Sequence, residues 1–332
     1  MSAPSPVVPA ASPWPRRLAW ATWCATIPLV FFGGSVTSLH AGLAIDGWWV
    51  VDPGKGDFFL PLYPLDRWVH SLGAFVEHTH RLLGMLVGLL AIATVVAAFL
   101  REKRGLPRAL ALLGLVAIVG QGVLGGLRVL EKSTDLAFLH GSIGQAVFAL
   151  LGAAAFAMAP SEAASGRVAA EAPAQKRLLL AALAATAVVY AQIVIGAWLR
   201  HGQSLVALVA HVVMLMFVAG AVTFLAHALR KAAEENGGAA DERALRRTGI
   251  ALWSVFWAQL TLGMLAFVWV YVVVGKDRVP TELHQSFFPT LHVLGGAALL
   301  FCCVASLVRA LRRRAVPEHA TATTAVRAGA AG

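Results

Sequence analysis

The chain has 332 residues, 58% of them hydrophobic and only 13% charged, with a mean hydropathy of +0.73. A soluble domain carries about 25% charged residues, so the composition excludes an ordinary water-soluble globular protein. The net charge of +10 falls in alternate loops, which sets membrane orientation and gives no nucleic-acid-binding face.

Residues 1–17, rich in Pro, Ala and Ser and ending in Arg16 and Arg17, read as a disordered cytoplasmic tail. They read less as a cleavable signal peptide, because the apolar run that follows is long and flows into further structure. Apolar runs recur at 18–39, 72–100, 107–128, 136–159, 177–199, 203–229, 247–274 and 284–311. Each has about the ~20 residues that a helix needs to cross a hydrocarbon core of ~30 Å. REKRGLPR separates the second run from the third, EKSTD the third from the fourth, and KAAEENGGAADERALRR the sixth from the seventh. Cys24, Cys302 and Cys303 all lie inside runs, so they make no disulfide framework and read as small apolar residues.

Placing the N-terminus inside puts 19 of the 27 Lys and Arg residues in cytoplasmic segments, among them Arg101, Lys103, Arg104, Arg230 and Arg312. The positive-inside bias therefore predicts an N-in, C-in topology. The fold class expected is an all-α integral membrane protein of eight transmembrane helices, arranged as two pseudo-symmetric four-helix bundles. The first bundle occupies 18–160, a cytoplasmic linker 161–176, the second bundle 177–312, and a disordered cytoplasmic tail 313–332.

The duplication rests on matching segments. The third run carries Gln121-Gly-Val-Leu-Gly-Gly and the seventh Gln259-Leu-Thr-Leu-Gly; the fourth carries FLHGSIGQAVFALL and the eighth TLHVLGGAALLFCC; the first and fifth each end in a histidine, His40 and His201. Four spans separate the copies, so both have the same orientation, a known membrane architecture. Gln121 and Gln259 stand at equivalent positions and suit interhelical hydrogen bonding.

The even-numbered runs hold the chemistry. His80 lies 21 residues before Arg101, His140 20 before Pro160, His211 19 before Arg230 and His292 20 before Arg312. At ~1.5 Å per residue, all four sit at one depth near the extracytoplasmic face. Interhelical hydrogen bonding accounts for any single histidine. Four in register across a repeat suit two bis-imidazole haem sites between facing helices, His80 with His140 and His211 with His292. Zinc or copper calls for further Cys, His or carboxylate ligands. Glu77 precedes His80 by three residues and shares its helical face; the sixth run has Leu208 there, and Val212 where the second run has Arg81. A carboxylate beside only one histidine pair points to substrate chemistry in the first half and an electron relay in the second.

Glu77-His-Thr-His80-Arg81, the three later histidines, GGSVTSLHAGLAIDGW after the first run and GAWLRH in the fifth together resemble the haem A synthase family, over residues 18 to 312. That resemblance implies oxidation of the C8 methyl of haem O to the formyl group of haem A, by successive hydroxylation and loss of water from a gem-diol. It implies His80 and His140 as ligands of the substrate haem, His211 and His292 as ligands of a haem b cofactor, and Glu77 as the catalytic carboxylate. Arg81 then reads as a propionate or structural partner. His284 competes with His292 as the last ligand, but lies eight residues earlier, ~12 Å higher along a helix; repeat and depth select His292. His78 points about 160° from His80 and is a bystander. Residues 40–71 lack the cysteine pair that some bacterial members carry; they form a lid, or anchor at the interface through Trp48, Trp49 and Trp68.

The resemblance further implies a multi-pass protein of the cell inner (cytoplasmic) membrane, working in terminal oxidase assembly. Its expected partners are the lipid bilayer, haem O and haem A, an electron acceptor or donor, and as candidates haem O synthase, oxidase assembly factors and further copies of the chain. The competing readings are a di-haem b-type electron-transfer protein without substrate chemistry, and a haem carrier.

Overall fold

The structure, a computed structural model, describes residues 12–159, 173–236, 239–275, 278 and 280–313. The expected tail at 313–332 lies outside the described residues apart from Arg313, as do 1–11 and most of the expected linker.

Eight helices are long and apolar enough to cross a membrane: α1 (Trp14–Ser38), α3 (Leu72–Arg101), α4 (Gly105–Leu130), α5 (Thr134–Ala157), α6 (Pro173–Gly202), α7 (Leu205–Asn236), α8 (Ala239–Val268) and α9 (Phe287–Arg313). Each matches one expected run. Helix α1 starts within the expected tail, and α6 within the expected linker. Helix α8 continues into a π-helical turn, Trp269–Val274, and a short α2 (Leu65–Trp68) precedes α3. The chain is thus an all-α, multi-pass membrane protein.

Local signals set the helix starts. Ser71 caps α3 by accepting from the Ala74 amide, and Ser133 caps α5 by accepting from the Leu136 amide at 3.2 Å, satisfying amide groups that the first turn leaves open. Apolar side chains then face outward: Leu89, Ile92, Val96 and Leu100 make an exposed stripe along α3. Lipid accepts such a face where water does not.

The helices form four antiparallel hairpins, α1/α3, α4/α5, α6/α7 and α8/α9, and the closest helix pairings are those within each hairpin. Helices α1, α3, α4 and α5 pack in a ring, as do α6, α7, α8 and α9; the rings meet through α5 on α9, α1 on α9 and α5 on α6. Polar links tie this seam at both ends. Arg312 donates to Phe156 O and Ala159 O at 3.1 and 3.0 Å, while Arg200 donates to Gly34 O and Ser38 Oγ, both at 2.6 Å.

At mid-seam, Gly152 of α5 faces Trp23 of α1 and Phe301 of α9; a Cβ there would lie 2.5 Å from Cδ2 of Phe301 and 2.7 Å from Nε1 of Trp23. Gly152→Val should therefore separate the halves and cost about 1–3 kcal/mol, as overpacking does. The check is a lower unfolding midpoint of the detergent-solubilised protein, and an unchanged midpoint would contradict this packing.

Candidate functional site

Each hairpin brings one histidine onto one glycine. A Cβ on Gly33 would lie 2.7 Å from Cε1 of His80; on Gly125, 2.9 Å from Cε1 of His140; on Gly196, 2.9 Å from that of His211; on Gly263, 2.9 Å from that of His292. Any side chain at these glycines would push the ring away. The residue four positions before each glycine is Leu29, Gln121, Gln192 and Gln259. His80 Nδ1 donates to Leu29 O at 3.0 Å, and the other three rings lie beside the main chain of the corresponding glutamine. Three of the glycines are followed seven residues later by a left-handed, non-glycine residue that ends the helix region: His40, Lys132 and Gln203, with φ of 51°, 49° and 48°.

The hairpins then face one another. The rings of His80 and His140 have centroids 6.2 Å apart at 90°, and those of His211 and His292 lie 6.1 Å apart at 83°. Imidazole binds a first-row metal at ~2 Å, so two imidazoles on opposite faces of one metal have centroids about 6 Å apart. Both pairs match that spacing. The Nδ1 bond of His80 to Leu29 O leaves Nε2 unprotonated, the form that ligates metal. Among the described residues no three His, Cys, Asp or Glu side chains group as a metal site, so neither pair has the extra ligands of a zinc or copper centre. Two imidazoles without further donors are the donor set of a bis-histidine haem, and the residues present fit that group.

A single cavity of about 1480 Å3 contains both pairs. A pocket for one small ligand has ~300–1,000 Å3, and this one is larger. Glu77, Arg81, Arg128, Arg200 and Trp48 also line it.

The structure gives Glu77 and Arg81 a second task. Arg81 Nη2 meets Glu77 Oε1 at 2.8 Å, with the side chains only 9% and 3% exposed. Glu77 Oε2 accepts from the Ile45 amide at 3.0 Å, and Arg81 donates to Gly47 O at 3.0 Å and Ile45 O at 3.3 Å. The pair therefore holds the loop between α1 and α3. That loop carries a small antiparallel hairpin, β1 (Val50–Val51) on β2 (Phe58–Phe59). Tyr63 donates to Asp52 at 2.9 Å; burial, and then this acceptor, raise the Tyr63 hydroxyl pKa above its usual value.

His78 is buried against Tyr63 and Trp68, with centroids 5.5 and 4.6 Å away, and is not part of the cavity wall. Trp68 stacks on Phe75, and Trp48 covers Gly126, so both pack on helices; Trp49 is exposed. His284 pairs with Glu282 at 3.0 Å, is 63% exposed, and is not among the residues that line the cavity.

Residues 64–214 match the family model COX15-CtaA, described as cytochrome oxidase assembly protein. Over that stretch the chain is similar to the cytochrome oxidase assembly family. The match includes Glu77, His80, Arg81, His140, Arg200 and His211 and stops before His292. No curated protein matches the chain.

Sequence reasoning missed the four glycines and Gln192. The available signal was the spacing Gln-x-x-x-Gly in α4, α6 and α8, matched by Leu29-x-x-x-Gly33 in α1.

Removing one partner of a buried ion pair costs about 3–5 kcal/mol. Glu77→Ala should therefore free Ile45–Gly47 locally, raising hydrogen exchange at the Ile45 amide at least about tenfold. Unchanged exchange would show that the loop is held elsewhere.

Proposed function

We propose that this membrane protein is a haem A synthase of the oxidase assembly family, oxidising the C8 methyl of haem O to the formyl of haem A. The observation that carries the reading is the pair of matched imidazole couples, only one of which has, among the described residues, a buried carboxylate beside it. The haem sites are placed near the extracytoplasmic face of the cell inner membrane. A haem b held by His211 and His292 supplies one-electron transfer when bound.

His80 and His140, whose rings face one another across the cavity, would hold the substrate haem O there. Gly33 and Gly125 leave the room those rings occupy. The residues around Ile45–Trp48, clamped by Glu77 and Arg81, limit bulk water at the cavity wall. The overall change takes one oxygen from water and releases four electrons and four protons as methyl becomes formyl. The electrons leave to an external acceptor in two steps of two. Glu77, the carboxylate on the cavity wall, takes up a proton released at the methyl carbon and stabilises positive charge developing there. Arg81 never loses its proton, so it orients Glu77 and the loop.

The loop-holding role of Glu77 and Arg81 favours a second reading. If that role alone explains why one half has them, a di-haem electron-transfer protein fits the same histidines.

Expression in a host that makes haem O but no haem A separates the two. The synthase reading expects haem A or its hydroxylated precursor in the extracted haems; a folded protein that yields neither sinks it. Glu77→Gln should keep both haems and lose product, whereas undiminished product would leave Glu77 as a loop anchor. His211→Ala, His292→Ala and Gly196→Val should each remove the low-spin haem b spectrum while the protein still inserts. A full bis-histidine spectrum in all three would overturn the ligand assignment.

A further inference from the structure

The cavity wall carries more positive than negative charge, and the excess is built in. Arg81 and Glu77 neutralise each other. Apart from Arg81, three guanidinium groups stand on the wall, Arg128, Arg200 and Arg278; Arg278 is exposed, whereas Arg128 and Arg200 lie within the bundle, neither with a carboxylate partner at ion-pair distance among the described residues. Arg200 donates through Nη2 to Gly34 O and Ser38 Oγ at 2.6 Å and through Nη1 to Pro289 O at 3.4 Å. Arg128 donates through Nη1 to Gly42 O at 2.8 Å. All these acceptors are neutral. A guanidinium offers five N–H donors, so both groups keep donors without a protein acceptor among the described residues. A charge in a half-buried, apolar bundle is costly unless it is paired.

Their placement follows the repeat. Arg128 stands three residues after Gly125, which seats His140, and Arg200 stands four after Gly196, which seats His211. Each is one helical turn beyond a histidine seat, toward the end where the hairpin closes. The two arginines come from different halves, one beside each histidine pair. A planar guanidinium matches a carboxylate through two parallel hydrogen bonds.

Resting on the haem reading above, we propose that Arg128 and Arg200 each bind a propionate carboxylate of the haem in their own half, so that both macrocycles point their propionate edges toward the hairpin-closing ends. The occupant then supplies the anions that the protein leaves out. Arg200 also joins α6 to α1 next to Gly33–Gly34 and to α9 three residues before His292, so seating the second haem firms the wall of the first site.

The test is reconstitution of the haem-depleted full-length protein in detergent. Ferric protoporphyrin IX and its dimethyl ester are titrated separately, with binding read from the Soret band. The ester keeps the iron and macrocycle but removes both carboxylates. The wild type should bind the free acid at least about tenfold more tightly than the ester. Arg200→Gln and Arg128→Gln should each weaken free-acid binding at one of two sites about ten- to hundredfold and leave ester binding unchanged; Arg200→Lys should recover part of the loss. Equal wild-type affinity for acid and ester overturns the proposal, as does a Gln variant that weakens both ligands alike, the result expected of a purely structural or lipid-phosphate contact. Should a Gln variant fail to fold, the wild-type comparison decides alone. A wild type that binds neither compound with a bis-imidazole spectrum overturns the haem reading itself; normal haem binding without acid–ester discrimination overturns only the role of the arginines.

Discussion

The structure depends on the close approach of an imidazole ring to a neighbouring helix backbone, which glycine alone permits. With Gly33, Gly125, Gly196 and Gly263 under the four rings, each histidine helix lies against its preceding helix at a fixed rotation. The left-handed residues after α1, α4 and α6 turn the chain back at a constant distance from the seat. From Gly125 to His140 and from Gly196 to His211 the separation is 15 residues; it is 47 from Gly33 to His80 and 29 from Gly263 to His292. The longer two are the same hairpin with inserted loops. Duplication into two four-helix halves is therefore built on a smaller unit, and each histidine pair is the meeting of two such units.

That unit holds polar atoms where the surroundings are apolar. Nδ1 of His140, His211 and His292 is buried outside hydrogen-bond geometry, beside the main chain of Gln121, Gln192 and Gln259, and a buried polar atom costs free energy unless its surroundings satisfy it. Small residues let the backbone approach closely enough to hold the ring there. The same accounting holds at Glu77 and Arg81, where two opposite charges and three backbone groups satisfy one another almost completely. Breaking any one of those contacts exposes the rest, so the first loop and the start of α3 behave as one unit.

Much of this was legible in the sequence because membrane helices encode themselves locally. Apolar run length gave eight spans to within a few residues, and counting residues to the basic helix ends brought His80 level with His140 and His211 level with His292. Helical geometry turned His78 away, and the repeat preferred His292 to His284. What escaped was non-local. The bonds from Glu77 and Arg81 to Ile45 and Gly47 cross more than thirty residues of loop, and no periodicity announces them. Glycines in an apolar helix look alike until their neighbours are known: Gly88 faces little more than a methyl group of Ile118, whereas Gly125 seats an imidazole. Nor did the sequence announce that Trp48 covers Gly126 or that Trp68 stacks on Phe75, contacts through which an aromatic side chain gains packing energy.

The two halves differ in where the extra parts fall, and the geometry of the histidine pairs hardly differs at all. By chain order α1/α3 corresponds to α6/α7, and α4/α5 to α8/α9. The inserted loops sit on the first and last hairpins, and Arg128 and Arg200 on the two middle ones. Each half thus has one looped hairpin and one hairpin with an arginine a turn beyond its histidine seat, but in exchanged order. In the first half the arginine reaches the loop of its neighbour, through Arg128 to Gly42. In the second, the arginine crosses the seam, through Arg200 to Gly34 and Ser38. Both guanidinium groups therefore fasten onto the α1 hairpin, so the wall around His80 is braced from both sides. A bundle with two nearly identical histidine pairs acquires one more polar site in this way, without any change to the pairs themselves.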